Sequence, residues 1–223
     1  MTTAELTWTL FRKDVAIAAR SREVLGFLVI FSLLCAVVFA FGFLREGRAA
    51  QEHLPGVLWV TLLFTNTLGL LRLYSADEEA GAWTLALRSI GGPTPLFWSK
   101  AMLQLGFSTI VCAVLWPAVA IFLDARAIAV HWTALALVLG LVGQALFGAL
   151  CAGLLAQIRL REVLLPLVLY PLAAPLLLAG VKVTALALDG AQWPEMQSWL
   201  LLMLAFDAIA VVLCPWLFAR AVT

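Results

Sequence analysis

Six apolar runs, each about long enough to cross a lipid bilayer, constrain this chain more than any other feature of its sequence. Of its 223 residues, 64% are hydrophobic and only 12% are charged. Soluble domains average about half apolar and about a quarter charged residues, so this composition argues against a soluble fold. The sequence predicts an all-α membrane protein with six transmembrane helices, at residues 24–44, 54–71, 101–123, 132–156, 163–188 and 198–219.

The distribution of Lys and Arg predicts how these spans are oriented, because cytoplasmic loops carry an excess of both. With a cytoplasmic N-terminus, ten cations fall on the inner side and three on the outer side. Both termini are therefore predicted to be cytoplasmic. The two long polar stretches, 1–23 and 72–100, then face a cytoplasmic partner. The inner cations are Arg12, Lys13, Arg20, Arg22, Arg72, Arg88, Lys100, Arg159, Arg161 and Arg220, and the outer ones are Arg45, Arg48 and Arg126.

Residues 1–23 have the periodicity of an amphipathic helix, separate from the six-helix domain predicted for 24–223. An apolar face with cations beside it predicts a helix that lies in the inner membrane interface, held by lipid. Two interpretations remain open, a plain anchor and a lever that also touches a cytosolic subunit. The apolar face comprises Trp8, Phe11, Val15, Ala18 and Ala19, and the cations largely off it are Arg12, Lys13 and Arg20.

The segment 72–100 joins the second and third spans and contains an acidic cluster followed by an aromatic residue. Asp77, Glu78 and Glu79 precede Trp83, and a Gly–Gly–Pro sequence ends the element. Acidic residues in the first turn stabilise a helix through its dipole. The pattern predicts a short helix whose apolar side chains fill a groove on another protein, with a solvated loop as the alternative.

Several classes of function lack support in the sequence. There is no GxxxxGK[ST] phosphate-binding loop, HExxH motif or GxSxG motif, so nucleotide hydrolysis is expected in another chain. The four cysteines form no CxxC pair, and a net charge of +1 provides no field that would attract nucleic acid. The sequence predicts a protein that is not an enzyme.

Tryptophan and histidine residues cluster near the ends of the predicted spans. Indole side chains favour the membrane interface, so we expect the tryptophans there. His53 and His131 fall at the predicted outer ends of the second and fourth spans, as haem ligands or, more commonly, as solvated interface residues. The tryptophans concerned are Trp59, Trp98, Trp132, Trp193, Trp199 and Trp216.

The fifth span contains Pro166, Pro171 and Pro175. Proline costs little in the first turn of a helix, which accounts for Pro166. Pro171 and Pro175 lie near mid-membrane, where each frees a carbonyl that hydrocarbon cannot satisfy. We therefore expect this span to pack in the protein interior and to be kinked or broken between these two prolines. The break is either inert or a flexible outer gate.

Asp207 lies near the middle of the sixth span, where an unpaired charge costs about 2.5–3.5 kcal/mol on insertion scales. It must therefore face protein or water. We expect an ion pair with Lys182 in the outer half of the fifth span. The alternative is a protonated carboxyl bonded to a polar side chain, and the function is either structural or part of transport. The candidate polar partners are Gln104, Gln144 and Asn66.

Two blocks of sequence resemble a known family: LPGVLWVTLLFTNTLGLLRLYSADEEAGAWTLALRS and RLREVLLPLVLYPLAAPLLLAGVK. With the later Lys100, they resemble the haem exporter protein B (CcmB) family, the membrane subunit of the cytochrome c maturation system. The resemblance runs in order over about residues 5–220. It implies the six-helix membrane domain of an ABC-type exporter, working as a pair of copies. The coupling helix would contain Asp77, Glu78, Glu79, Gly81 and Trp83, braced by the N-terminal helix.

The resemblance also implies partners and a location. A cytosolic CcmA-like subunit would hydrolyse ATP, and CcmC-like and CcmD-like membrane subunits and a CcmE-like haem chaperone would complete the system in the bacterial inner membrane. No cofactor is expected on this chain itself, since ATP would be bound by the ATPase and haem by other subunits. The work done would be haem export or release of the haem-loaded chaperone. Two alternatives remain: an exporter domain for a lipid or small hydrophobic substrate, and a non-transporting mechanical scaffold.

Overall fold

The computed structural model describes residues 3–20, 23–43, 49–75, 77, 92–122 and 130–222. Within these residues the chain forms seven α-helices and contains no strand. The predicted all-α fold class is confirmed. The helices are α1 (Thr3–Arg20), α2 (Glu23–Phe43), α3 (Ala49–Arg72), α4 (Thr94–Phe122), α5 (Val130–Leu155), α6 (Arg161–Leu188) and α7 (Trp193–Val222).

Helices α2 to α7 are each long and apolar enough to cross a membrane, which confirms the six predicted spans. Three of them begin at least five residues before the predicted apolar runs: α3 at Ala49, α4 at Thr94 and α7 at Trp193. Helices α4 and α7 each have a proline in second position, Pro95 and Pro194, where the missing N–H costs nothing. Polar residues in the first turns, such as Lys100, hide these starts from a search for hydrophobic runs.

Helices α3 and α5 lie at the centre of the bundle. The apolar stretch of each is 72% buried, against 22–33% for the other four spanning helices. Helix α5 packs against α3, α4, α6 and α7, and α3 packs against α2, α4, α5 and α6. The amphipathic helix α1 packs on α4. The outer helices therefore expose apolar surface that a bilayer or another subunit must cover.

Glycines set how closely the central helices approach. Gly140 on α5 and Gly180 on α6 leave the space that the indole of Trp59 fills, since a Cβ on either would clash with the ring. The ring is fully buried, and its Nε1 donates a hydrogen bond to Thr184 Oγ1 at 3.0 Å. The prediction that Trp59 lies at the membrane interface is therefore wrong. Two glycines and one hydroxyl make an interior site that suits both halves of the indole.

The two ends of the bundle carry separate aromatic groups. Where α3 and α7 end and α4 begins, Phe218 packs against Phe97 with ring centroids 5.6 Å apart and against Tyr74 at 6.4 Å. We call this the Tyr74 end; the Lys and Arg distribution predicts that it is cytoplasmic. Where α5 and α7 begin, Trp132 packs against Trp193 at 5.1 Å.

Helix α6 differs from its prediction. It runs without interruption from Arg161 to Leu188, so no break occurs at Pro171 or Pro175. Both prolines are exposed, because the buried face of α6 follows another stripe that includes Leu169 and Leu176. The prediction that they face the interior is wrong. A proline ring clashes with the carbonyl four residues earlier in its own helix, and α6 accommodates this at both positions without ending.

Candidate functional site: a buried charge cluster

Three separate parts of the chain bring charged side chains together at the Tyr74 end. Lys13 and Asp14 come from α1, Asp77 follows α3, and Ser99 and Lys100 lie near the start of α4. We call these five residues the charge cluster. It ties the amphipathic helix to the bundle and to the beginning of the segment predicted to contact an ATPase.

Each carboxylate in the charge cluster contacts both lysines. Lys13 Nζ lies 2.6 Å from Asp77 Oδ1 and 3.2 Å from Asp14 Oδ1. Lys100 Nζ lies 3.1 Å from Asp14 Oδ1 and forms a second ion pair with Asp77 Oδ2. Ser99 Oγ donates a hydrogen bond of 2.6 Å to Asp14 Oδ2. The cluster is therefore closed, with two positive and two negative charges that balance.

Most of the cluster is out of contact with solvent. Asp14, Asp77 and Lys100 are 4%, 3% and 1% exposed, while the side chain of Lys13 is 39% exposed. Ions removed from water lose several kcal/mol of hydration, which is regained only if each charge is paired in good geometry. Each charge of the cluster lies in ion pairs with both charges of opposite sign, and Lys13 provides its hydrated edge.

The ion pairs shift the pKa values of Asp77 and Lys13, which both lie outside the membrane spans. Burial alone would raise the pKa of Asp77, but Lys100 and then Lys13 outweigh burial and hold it below its usual value. Burial alone would lower the pKa of Lys13, but Asp77 and Asp14 hold it above its usual value. Both shifts favour the charged forms, so Asp77 and Lys13 are ionised at neutral pH.

Tyr74 connects the charge cluster to the central helix α5. Its ring centroid lies 5.7 Å from Lys100 Nζ, which places a cation over the aromatic face. Its hydroxyl donates a hydrogen bond of 3.1 Å to the carbonyl oxygen of Ala149 on α5. Burial, followed by the charges of Asp77 and Asp14, raises the pKa of Tyr74, so it remains a neutral donor. Tyr74 therefore contacts both the charge cluster and α5.

Only part of the predicted coupling segment can be located. Asp77 belongs to the charge cluster, where its carboxylate faces two lysines of this chain. Glu78, Glu79, Gly81 and Trp83 lie outside the described residues, so the short helix predicted there stays a prediction. At Asp77 the structure provides an internal anchor at the beginning of the segment.

Sequence reasoning missed the charge cluster as a unit. From the sequence, Lys13 was a cation of the cytoplasmic side and of α1, Lys100 was a cation of that side and part of the family resemblance, and no role was predicted for Asp14. One signal was present, because Asp14 lies three residues after Phe11 and one before Val15, within the apolar face of α1. A carboxylate on the apolar face of an amphipathic helix indicates a buried cation on the element that packs there.

Asp207 lies on the buried face of α7 but does not pair with Lys182. Its carboxyl packs against α5 at Gly143, where an added Cβ would clash with Asp207 Oδ1 and with the side chain of Leu176 on α6. Neither oxygen accepts a hydrogen bond from the part of the chain that the structure describes. Lys182 is exposed, off the α6 face formed by residues such as Val183. The predicted ion pair is therefore wrong. Asp207 lies at the level of Leu176, six residues before Lys182 on α6, and Lys182 is on the exposed face of that helix.

The alternative partners proposed for Asp207 are occupied with one another. Asn66 Nδ2 donates to Gln144 Oε1 at 2.7 Å, and Ser108 Oγ donates to Asn66 Oδ1 at 2.8 Å. Gln104 Nε2 donates to Ser108 Oγ at 3.2 Å. These bonds link α3, α4 and α5 through buried polar groups, a common use of amides and hydroxyls between spanning helices. The predicted hydrogen bond from Asp207 to this group is not formed either.

Comparison with known proteins identifies the family. A family model described as "CcmB protein" matches residues 5–223. The chain belongs to the CcmB protein family. It is similar to the "Heme exporter protein B" of Paracoccus denitrificans, at 26% identity over 212 residues covering 94% of each chain. It is also similar to the protein of that name from Pseudomonas aeruginosa, at 28% identity over 90% of this chain and 88% of the relative. The protein of that name from Bradyrhizobium diazoefficiens is 28% identical over 81% of this chain and 82% of the relative.

The CcmB match extends over all six spanning helices and most of α1. The matched range includes every residue of the charge cluster and also Asp207. As a member of the CcmB family with six apolar helices, the chain is a multi-pass membrane protein. The resemblance inferred from the two sequence blocks is confirmed.

The histidines remain unassigned. His131 lies at the start of α5 with its ring centroid 4.7 Å from that of Trp132, an arrangement suited to the membrane interface. His53 lies in the first turns of α3. Among the described residues, no three His, Cys, Asp or Glu side chains come together as a metal site. The suggestion that either histidine ligates haem stays a prediction.

Proposed function

We propose that this chain is the membrane subunit of an ABC-type complex that acts in haem export and c-type cytochrome maturation. The support is the CcmB match over residues 5–223 and the relatives named "Heme exporter protein B". Because those relatives align over most of their own length, the proposal concerns the whole chain. The finer question, export of haem or release of a haem-loaded chaperone, is addressed by the second experiment below.

The charge cluster is the observation that supports coupling to an ATPase. A force applied to the segment after α3 reaches Asp77 first, and Asp77 contacts Lys13 on α1 and Lys100 on α4. Through Tyr74 the same force reaches α5, a central helix of the bundle. Packed cores move between discrete arrangements and are not continuously deformable. A rigid ionic joint at this point would transmit a small displacement to several helices.

The motor is proposed to be a separate CcmA-like ATPase on the cytoplasmic side, with CcmC-like and CcmD-like subunits and a CcmE-like chaperone in the complex. The sequence holds no phosphate-binding loop of its own. A second copy of the chain is proposed to cover the α6 face that carries Pro171 and Pro175. The reason is that their freed carbonyls need partners that hydrocarbon lacks. The complex is placed in the bacterial inner membrane with both termini cytoplasmic.

Co-purification tests the proposal most simply. A tagged chain, expressed with the neighbouring genes of its own genome, is extracted in mild detergent. We expect an ATPase subunit to elute with it and the ATPase rate to depend on this chain. A chain that purifies alone, with no change in the rate of any added ATPase, would contradict the proposal.

Haem export and chaperone release can be separated in inverted vesicles that contain the complex. Release predicts that ATP frees the haem-loaded chaperone while the total haem on each side of the membrane stays constant. Export predicts that ATP moves haem across the membrane without a chaperone present. Either result supports a role in cytochrome maturation. A complex that hydrolyses ATP but neither frees the chaperone nor moves haem would favour the alternative, an exporter of a lipid or small hydrophobic molecule.

A further inference from the structure

An apolar groove lies between the amphipathic helix α1 and the spanning helix α4, beside the charge cluster. Its volume is about 430 Å³. That volume is within the range of roughly 300–1,000 Å³ typical of ligand pockets. Phe11 and Val15 line it from α1, Leu25 from α2, and Met102, Gly106 and Ile110 from α4. The α4 residues recur every four positions and therefore form one continuous side of the groove.

The groove is open along its length. Val15 is 40% exposed, Met102 43% and Ile110 45%, so the apolar lining reaches the surface. From Met102 to Ile110 the helix rises about 12 Å, at about 1.5 Å per residue. The ion pair between Asp14 and Lys100 joins α1 to α4 next to this groove.

We propose that this groove binds one acyl chain of an inner-leaflet phospholipid. The sequence predicts that α1 lies in the inner membrane interface, where an acyl chain leaves its headgroup, and the groove extends from α1 along α4. An acyl chain matches the apolar lining of the groove. Arg12 and Arg20 are exposed on α1, and guanidinium groups bind phosphate in a bidentate manner. The ligand is therefore a phospholipid, preferably anionic.

The exposed cations on α1 favour a phospholipid over an apolar helix of another subunit. A phospholipid brings a phosphate for Arg12 and Arg20 together with an apolar chain for the groove, whereas an apolar helix brings no negative charge. An empty apolar groove at this depth would forfeit dispersion contacts that a flexible hydrocarbon chain supplies. The occupant is thus a lipid that wedges between α1 and α4.

Glycine substitutions provide a matched test. Gly106 lines the groove and a Cβ added there meets no atom within 4 Å, so Gly106→Leu places an apolar side chain in the groove. A Cβ added at Gly56 on α3 also meets no atom within 4 Å, so Gly56→Leu is the control for the same substitution outside the groove. The full chain, in its complex if one forms, is placed in nanodiscs with phosphatidylglycerol carrying a photoreactive acyl chain. Labelled residues are mapped by mass spectrometry after exchange into detergent.

We expect labelling of α4 between Met102 and Ile110 that survives detergent exchange. Label on the exposed lipid-facing side of α7, around Val212, is expected to be lost by the same exchange. Gly106→Leu should abolish the protected label and Gly56→Leu should retain it. Protected labelling that is unchanged in Gly106→Leu would overturn the proposal. Labelling of the isolated chain that disappears in the assembled complex would also overturn it, because another subunit would then occupy the groove.

The headgroup part is tested with Arg12→Gln and Arg20→Gln, using Arg72→Gln at the end of α3 as the control. Each of the first two variants should reduce the preference for phosphatidylglycerol over phosphatidylcholine by roughly fivefold, the size expected for one cation near anionic lipid. The protected acyl label should persist in phosphatidylcholine. An equal effect of Arg72→Gln would overturn headgroup binding at α1. ATPase association and cytochrome maturation are scored separately, so failure here leaves the function of the complex independently testable.

Discussion

The charge cluster and Asp207 show two ways in which this membrane protein buries carboxylates. Asp14 and Asp77 are 4% and 3% exposed, and Asp207 is 5% exposed, so burial does not distinguish them. Their partners do. Asp14 and Asp77 each contact two lysines, whereas neither oxygen of Asp207 accepts a hydrogen bond from a described residue.

The difference shows that removing a buried carboxylate lowers stability mainly when it leaves a charged or hydrogen-bonding partner buried and unpaired. Removing a member of the charge cluster leaves an opposite charge buried and unpaired, which is expensive. Removing the carboxylate of Asp207 leaves no described cation or donor without a partner. The cluster is therefore expected to hold helices together, and Asp207 is expected to contribute little to stability.

The largest expected effect is that of Lys100→Met. It would leave Asp14 and Asp77 buried with only the partly exposed Lys13 between them. Breaking a buried ion pair by removing one partner costs about 3–5 kcal/mol. The free energy of unfolding of the purified chain should fall by that amount, as measured by denaturant titration in detergent micelles.

Lys182→Met is the matched control for Lys100→Met, because it makes the same substitution on a spanning helix at an exposed position. It should leave the free energy of unfolding unchanged within measurement error. Equal losses from the two variants would show that loss of a lysine, and not loss of the cluster, causes the effect.

A smaller effect is expected when charge balance is kept. The double variant Asp77→Asn/Lys100→Met removes one charge of each sign and retains the contact between Lys13 and Asp14. Replacing paired buried ions by neutral groups is often close to neutral for stability. The double variant should recover more than half of the stability lost in Lys100→Met, with the coupling measured by a double-mutant cycle. Strictly additive losses would mean that the two residues act independently.

Asp207→Leu should change the free energy of unfolding by less than about 1 kcal/mol, because leucine has nearly the same branched shape and no partner is stranded. The measurement is the same denaturant titration, with Asp14→Leu as the comparison that should be strongly destabilising. A loss from Asp207→Leu as large as that from Asp14→Leu would remove the distinction between the two regions. Normal cytochrome c maturation in this variant would also end the hypothesis that Asp207 takes part in transport.

The smallest expected effect is on the pH dependence of stability. The pKa of Asp77 is lowered, so its contribution is complete above the usual value of 3.8 and is lost as pH falls below it. The pKa of Lys13 is raised, so its contribution is complete below the usual value of 10.5 and is lost as pH rises beyond it. The melting temperature of the wild type should not change with pH between these limits. In Asp77→Asn the melting temperature should fall less as the pH is lowered below 3.8. The same fall in melting temperature with acid in Asp77→Asn and in the wild type would contradict the lowered pKa of Asp77.

The spans were predictable from the sequence because the bilayer imposes a length and a composition on each one. The same one-dimensional rule explains why the starts of α4 and α7 were misplaced, since helices extend through polar first turns. The apolar face of α1 was also predictable: Phe11 and Val15 line the groove against α4. Helical periodicity identifies a face, but the neighbour of that face depends on the tertiary fold.

The contacts between distant helices could not be predicted in this way. The contact between Lys100 and Asp14 joins residues 86 positions apart, and Trp59 meets Thr184 across 125 positions. Pairing Asp207 with Lys182 relied on similar depth in the membrane, but depth does not fix the rotation of a helix about its axis. For the same reason Pro171 and Pro175 were assigned to the wrong face of α6.

The central claim is that the charge cluster links an ATPase to the spanning helices, and one variant tests it directly. The complex is purified from cells producing Asp77→Asn/Lys100→Met, and ATP hydrolysis and c-type cytochrome maturation are measured on the same preparation. We expect a complex that assembles and hydrolyses ATP but no longer supports maturation. Maturation at the wild-type level with this variant would contradict the claim.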